Sequence, residues 1–203
     1  MKPLRAVFFW FGGVLVQPLP DLLLQEIYGR PIEAVNPQTR LDLRALAQDL
    51  AIGRIDSREY CREAIRVCQT DLREEDLATG VIRGCALRAS IFETIDRLPA
   101  RYERWLIVDY PRDWFRPIDD RMSLLTRFPD ECILFTSNCG LTRFVPDIFY
   151  QIIQRSNLSM EECMIVDGVT ARAIESVRHG LSSTIFVDAR RLERDFKLRK
   201  LIP

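Results

Sequence analysis

Ala6-Val-Phe-Phe-Trp-Phe-Gly-Gly-Val-Leu-Val16 is the stretch whose reading decides the fold. Six apolar residues run without alternation, Gly12-Gly13 interrupts them, and a second apolar run follows. Phe, Val and Trp favour a pleated, packed surface, and a strand covered on both faces shows no period-two pattern. A buried strand ending in a tight glycine turn is therefore expected. Lys2 and Arg5 before this run also permit a signal-peptide reading, but no small-x-small cleavage site follows. No apolar run reaches the roughly 18 residues that a membrane span requires, so a cytoplasmic protein is expected.

Moving outward, the texture of the chain changes twice. Asp21 to Tyr28, Leu41 to Ile52, Asp56 to Cys68 and Leu72 to Ile82 carry apolar residues at helical spacing, with Asp56-Ser-Arg-Glu59 as a capping-box start. From Ser90 onward, short apolar strands alternate with helices. Arg104–Val108, Cys132–Thr136, Cys163–Val166 and Thr184–Val187 read as strands. Ser90-Ile-Phe-Glu93 opens a helix, and further helices are expected over Pro111–Leu125, Pro146–Arg155, Thr170–Arg178 and Ala189–Leu198. That alternation implies an α/β fold, a Rossmann-like three-layer core with a parallel sheet. The domain boundaries expected are 1–18 and 87–203 for the core, with 19–86 as an inserted helical cap.

Composition narrows the function. The 203 residues carry 29 basic and 29 acidic side chains, so no global field favours nucleic acid or an anionic membrane, and neither is an expected partner. Six cysteines without Cys-x-x-Cys spacing read as reduced core thiols. The one histidine, His179, stands before Gly180 at an expected helix end, where capping suits it. Lysine occurs only at 2, 197 and 200, which leaves no lysine for chemistry inside the chain.

The first strand and its glycine turn resemble the opening of the haloacid dehalogenase-like (HAD) superfamily. Gly53-Arg-Ile-Asp-Ser-Arg-Glu-Tyr60 is similar to its cap-helix entry. Ile148 to Asp167, ending Cys-Met-Ile-Val-Asp, is similar to the segment leading to its acidic motif. The resemblance implies four catalytic motifs, and each is altered here. Trp10 stands at the Asp nucleophile and Gly12 at the acid/base. Val108 stands at the phosphate-binding hydroxyl, with Thr136-Ser-Asn138 as a displaced alternative. Arg143 replaces the lysine, and Asp167-Gly168 the paired acids. An indole supplies neither a nucleophile nor a metal ligand, and a valine donates no hydrogen bond.

What the resemblance then implies is a pseudoenzyme. No catalytic residue, no metal and no cofactor is expected, beyond a weak residual magnesium interaction at Asp167. Asp109, Arg143 and Asp167 are the ligand-binding candidates, and Asp109 would repel a phosphate. The expected use is as a binding, scaffold or regulatory module that contacts a protein partner or a second copy of the chain. Tyr110, Arg112, Trp114 and Phe115 are the interface candidates, because aromatics and arginine concentrate at interface hot spots. Trp114 and Phe115 are equally readable as the core-facing turn of the next helix. The alternatives are a hydrolase or phosphatase with a rebuilt site, or a sensor of anions or phosphometabolites that does not turn them over.

Overall fold

The computed structural model describes residues 2–29, 35–86, 88–142 and 145–203. Five strands form one parallel sheet: β1 (Ala6–Trp10), β2 (Glu103–Val108), β3 (Ile133–Phe135), β4 (Cys163–Asp167) and β5 (Ser182–Ile185), in the order β3-β2-β1-β4-β5. β1 lies at the centre, with Trp10 in register with Ile107 on one side and Phe9 with Val166 on the other. Every residue of β1 is buried, which is why its sequence carries no alternation.

The pleat sorts the flanking helices onto two faces. Successive side chains of a strand point to opposite sides. Phe9 meets Phe196 of α9 (Ala189–Leu198), at 6.4 Å between ring centroids, and α9 packs on α5 (Ala89–Asp96). Trp10 faces the other way, toward Arg172 of α8 (Thr170–Arg178), whose guanidinium also stacks on Phe149 of α7 (Asp147–Ser156). α6 (Arg112–Met122) follows β2.

Four helices, α1 (Leu19–Tyr28), α2 (Pro37–Ala51), α3 (Ser57–Cys68) and α4 (Glu74–Gly84), pack on one another between β1 and α5. They are fastened to the sheet at several points. The buried Thr136 hydroxyl donates to the Ala51 carbonyl at 2.7 Å. Tyr110 donates from its hydroxyl to the Gln17 carbonyl at 2.8 Å. Arg121 donates to the carbonyls of Ile82, Arg83 and Cys85 at 2.7, 3.1 and 2.6 Å, satisfying the open C-terminal end of α4.

Three local expectations shift. Ser90 lies inside α5 and does not cap it, because the N-cap residue is Arg88 and the helix starts two residues earlier than a Ser90 cap would set it. The last strand spans Ser182–Ile185 instead of Thr184–Val187. Its edges are set by pairing, Met164 with Ser182 and Asp167 with Ile185, and Val187 beyond it is exposed. The helix expected over Pro111–Leu125 stops at Met122, where Ser123 turns left-handed at φ 53°. Asp56 caps α3 through the Glu59 amide, and His179 is the C-cap residue of α8. Among the described residues, no helix is long and apolar enough to cross a membrane.

Candidate functional site

The carboxyl ends of β1, β2 and β4 meet where the strand order reverses about β1, the place where open parallel sheets receive ligands. Trp10 ends β1 and is wholly buried. It lies beneath the surface. Val108 ends β2, also wholly buried, on the strand next to β1. Thr136 follows β3, one strand further out, and its hydroxyl is directed to the carbonyls of Ala51 and Val108.

Gly12 and Gly168 each have a steric reason to be glycine. A Cβ on Gly12 would come within 2.8 Å of Oδ1 of Asp109, and that oxygen accepts the Gly12 amide at 3.1 Å. The Asp109 carboxylate thus fills the space beside the turn. A Cβ on Gly168 would come within 2.8 Å of the Gly13 carbonyl oxygen. The loops after β1 and β4 therefore touch backbone to backbone where a second acid would have to fit.

Asp167, at the end of β4, is 1% exposed. Its Oδ1 accepts the Val169 amide at 2.9 Å, and its Oδ2 lies 3.8 Å from Nε of Arg172, a side chain itself 5% exposed. The Arg172 guanidinium lies 4.6 Å above the Phe149 ring and 5.9 Å from the Trp10 ring. A buried cation therefore already faces Asp167, sandwiched between the Phe149 and Trp10 rings. A magnesium ion takes oxygen ligands. Here Trp10 and Gly168 offer no side-chain oxygen, and Asp167 is turned to a guanidinium. These residues do not fit a divalent cation. Among the described residues no group of three or more His, Cys, Asp or Glu side chains is placed to hold a metal.

Arg88 closes the far side of the glycine turn. It donates to the Gly13 carbonyl at 3.3 Å and its guanidinium lies 5.2 Å from the Phe186 ring centroid, with burial pulling it below the usual arginine range. Arg143 lies outside the described residues.

A cavity of about 390 Å³ opens between these strand ends and the inserted helices. Pro18, Leu19, Ala47, Ala51 and Val169 give it apolar walls, and Asp21, Asp109 and Thr142 add polar groups. Arg44 and Gln48, both exposed, sit at its rim.

The interface candidates behave differently from expectation. Tyr110, Trp114 and Phe115 are 2%, 3% and 6% exposed. Tyr110 and Phe115 pack edge-on against Phe11, and Trp114 against Tyr60. The Tyr110 ring and hydroxyl are both used inside. Of the four only Arg112 is exposed, lying 4.4 Å above the Phe135 ring.

Arg172 and Asp21 were missed from sequence. Arg172 had a detectable signal: a carboxylate ending a fully buried strand requires a counter-charge, and Arg172 follows five residues later in the first turn of the next helix. Asp21 had none, since an acid in the first turn of a helix is ordinary.

No protein-family model matches the chain, and no curated protein matches it. Solved structures do. A HAD family enzyme from Bacteroides thetaiotaomicron superposes with a TM-score of 0.74 at 10% identity, covering 91% of this chain and 94% of that one. The same enzyme in complex with magnesium and inorganic phosphate gives 0.70 at 11%, covering 93% and 98%. A predicted HAD-like family hydrolase from Porphyromonas gingivalis gives 0.64 at 21%, covering 91% of each chain. The L-2-haloacid dehalogenase of Xanthobacter autotrophicus, with chloropropionic acid covalently bound, gives 0.67 at 14%, covering 98% and 85%. With a five-stranded parallel sheet, a glycine turn after its central strand and helices inserted behind that turn, the chain has the fold of the haloacid dehalogenase-like superfamily.

Proposed function

We propose that this protein is a non-catalytic member of the HAD-like fold, a binding module whose ligand site is the cavity between the inserted helices and the strand ends. The observation that carries the reading is the pairing of Asp167 with the buried Arg172 against Trp10. Each device that the magnesium- and phosphate-binding neighbour's chemistry would call on is answered by a residue of another kind. The nucleophile position is a buried indole, the hydroxyl position a buried valine, and the second acid a glycine closed off by backbone. Groups that act as a unit lose their rate together, so these three changes leave no partial enzyme.

A protein–protein role centred on Tyr110 to Arg116 loses support from the burial of its aromatics, and the cavity takes its place as the binding surface. The test is turnover. Purified protein with magnesium is given p-nitrophenyl phosphate and, separately, a 2-haloacid. Neither is expected to react above background. Metal-dependent turnover that disappears in Asp167→Asn would overturn the proposal.

A further inference from the structure

We infer that the outer face of α9 docks this protein on the surface of an anionic lipid bilayer. α9 (Ala189–Leu198) is two-sided. Leu192 and Phe196 are buried, with Phe196 against Phe9 of the central strand. At 3.6 residues per turn, Arg190, Arg191, Arg194, Lys197 and Leu198 share the opposite side, within an arc of about 120°. All five are exposed, as are Arg199 and Lys200 just beyond the helix. This face lies on the side of the sheet away from Trp10 and owes nothing to the cavity.

Residues 188–200 carry six basic side chains against three acidic ones, a net charge of +3 in a chain whose total is zero. A zero total argues against a field over the whole molecule and leaves room for a local one. The acids do not cancel the arc. Asp188 accepts the Arg191 amide at 2.8 Å, and Glu193 is held by Arg97 at 2.6 Å and by Lys197 at 3.0 Å. Asp195 lies at the side of the helix, half-buried. Among the described residues no carboxylate forms an ion pair with Arg190, Arg191 or Arg194. These three arginines line one groove with Val187 and Ser90.

Arginines free to take phosphate suit a nucleic acid as well as a lipid headgroup, and the apolar residues decide between them. Leu198 is 75% exposed, more than any other large apolar side chain among the described residues, and it stands inside the basic arc. Val187, 55% exposed, stands two residues before α9 in the wall of the groove. A bilayer interface takes an apolar side chain that reaches below its headgroups, whereas the phosphate backbone of a duplex offers it nothing. Stacking of single-stranded bases needs an exposed aromatic ring, and the one aromatic residue from 187 to 200, Phe196, is buried. A basic cluster and an apolar contact are two signals that together hold a protein on a membrane without spanning it.

The experiment is co-sedimentation of the full chain with vesicles of phosphatidylcholine alone and of an equal mixture with phosphatidylserine, at low and at high salt. Wild type is compared with the triple variant Arg190→Gln, Arg191→Gln, Arg194→Gln and with Leu198→Ser. A second triple variant on α3, Arg58→Gln, Arg62→Gln, Arg66→Gln, controls for net charge. All these positions are exposed, and thermal melting checks each fold. Wild type is expected to bind the mixed vesicles at low salt, to leave them at high salt, and not to bind phosphatidylcholine alone. The α9 triple should weaken binding roughly a hundredfold, at about fivefold per basic residue, while the α3 triple stays within about twofold of wild type. Leu198→Ser should weaken it several-fold. The inference is overturned if the mixed vesicles are not bound, if the α9 triple or Leu198→Ser binds them as wild type does, or if the α3 triple loses as much as the α9 triple. It is also overturned if a duplex DNA oligonucleotide binds more tightly than the vesicles and is lost in the α9 triple, which would assign the face to nucleic acid.

Discussion

Replacing Arg172 by methionine keeps an apolar stem and removes the charged guanidinium that stacks on Phe149. The ion pair it breaks is buried, with side chains 5% and 2% exposed and 3.8 Å between Nε and Oδ2. Coulomb's law at an effective dielectric near 20 gives about 4 kcal/mol at that separation. Measurements on buried pairs broken from one side give a similar loss, about 3–5 kcal/mol, since the remaining charge stays in the interior. For a chain of this length 1 kcal/mol moves the midpoint by about 2–4 °C, so Arg172→Met should melt about 8–16 °C lower. The assay is urea unfolding followed by tryptophan fluorescence, with a double-mutant cycle through Asp167→Asn. The double variant should be more stable than the sum of the two single losses predicts, by about 3 kcal/mol. A loss below about 1 kcal/mol for Arg172→Met, or simple additivity in the cycle, would show that Arg172 does not neutralise Asp167. The acid would then again be a candidate metal ligand.

Trp10→Asp should lose about 3–5 kcal/mol or more, the cost of emptying a large buried site, and should gain no phosphatase activity; robust turnover from this one change would contradict the account of the other positions. Gly168→Ala should cost about 1–3 kcal/mol and more than Gly12→Ala, because the first new methyl meets the Gly13 backbone and the second a side chain able to turn; equal losses in calorimetry would refute the backbone contact. Burial pushes the thiols of Cys61, Cys85 and Cys163 up to about 12. The folded chain therefore keeps protons that the unfolded chain releases from about pH 8.5 upward, and stability should fall with rising pH from there toward 12, by up to about 1.4 kcal/mol per unit per thiol. A urea midpoint unchanged between pH 8 and pH 10 would rule this out.

The sheet was legible because β1 is buried on both faces and says so in six consecutive apolar residues. The helices behind it were legible from their periodicity. What periodicity could not supply was the direction of α8. Ile174 and Val177 look like its inner face, yet they are 50% and 57% exposed, while Arg172, Ala173 and Ser176 are buried. The helix is turned by the need of Asp167 for a cation, an interaction between elements that no window along α8 contains. Tyr110 to Phe115 misled for the related reason that a cluster of aromatics and arginines has the same composition on an interface as in a core. The fate of Tyr110 was decided by Phe11 and Gln17, about a hundred residues earlier in the chain. Gly12 and Gly168 were legible as altered positions but not as tight ones, since a close backbone approach leaves no mark beyond the glycine itself.

The contact between the Gly13 carbonyl and Gly168 gives any change at position 168 a direction. A side chain there would need the two loops to stand apart, and glycine lets them close. While they are closed, any residue larger than glycine collides with the carbonyl before it can acquire a use. A path to a side chain at 168 therefore runs through a less stable intermediate, or needs both loops to change at once. The contact works as an evolutionary ratchet: selection for stability alone holds it shut, whatever the cavity beside it goes on to bind.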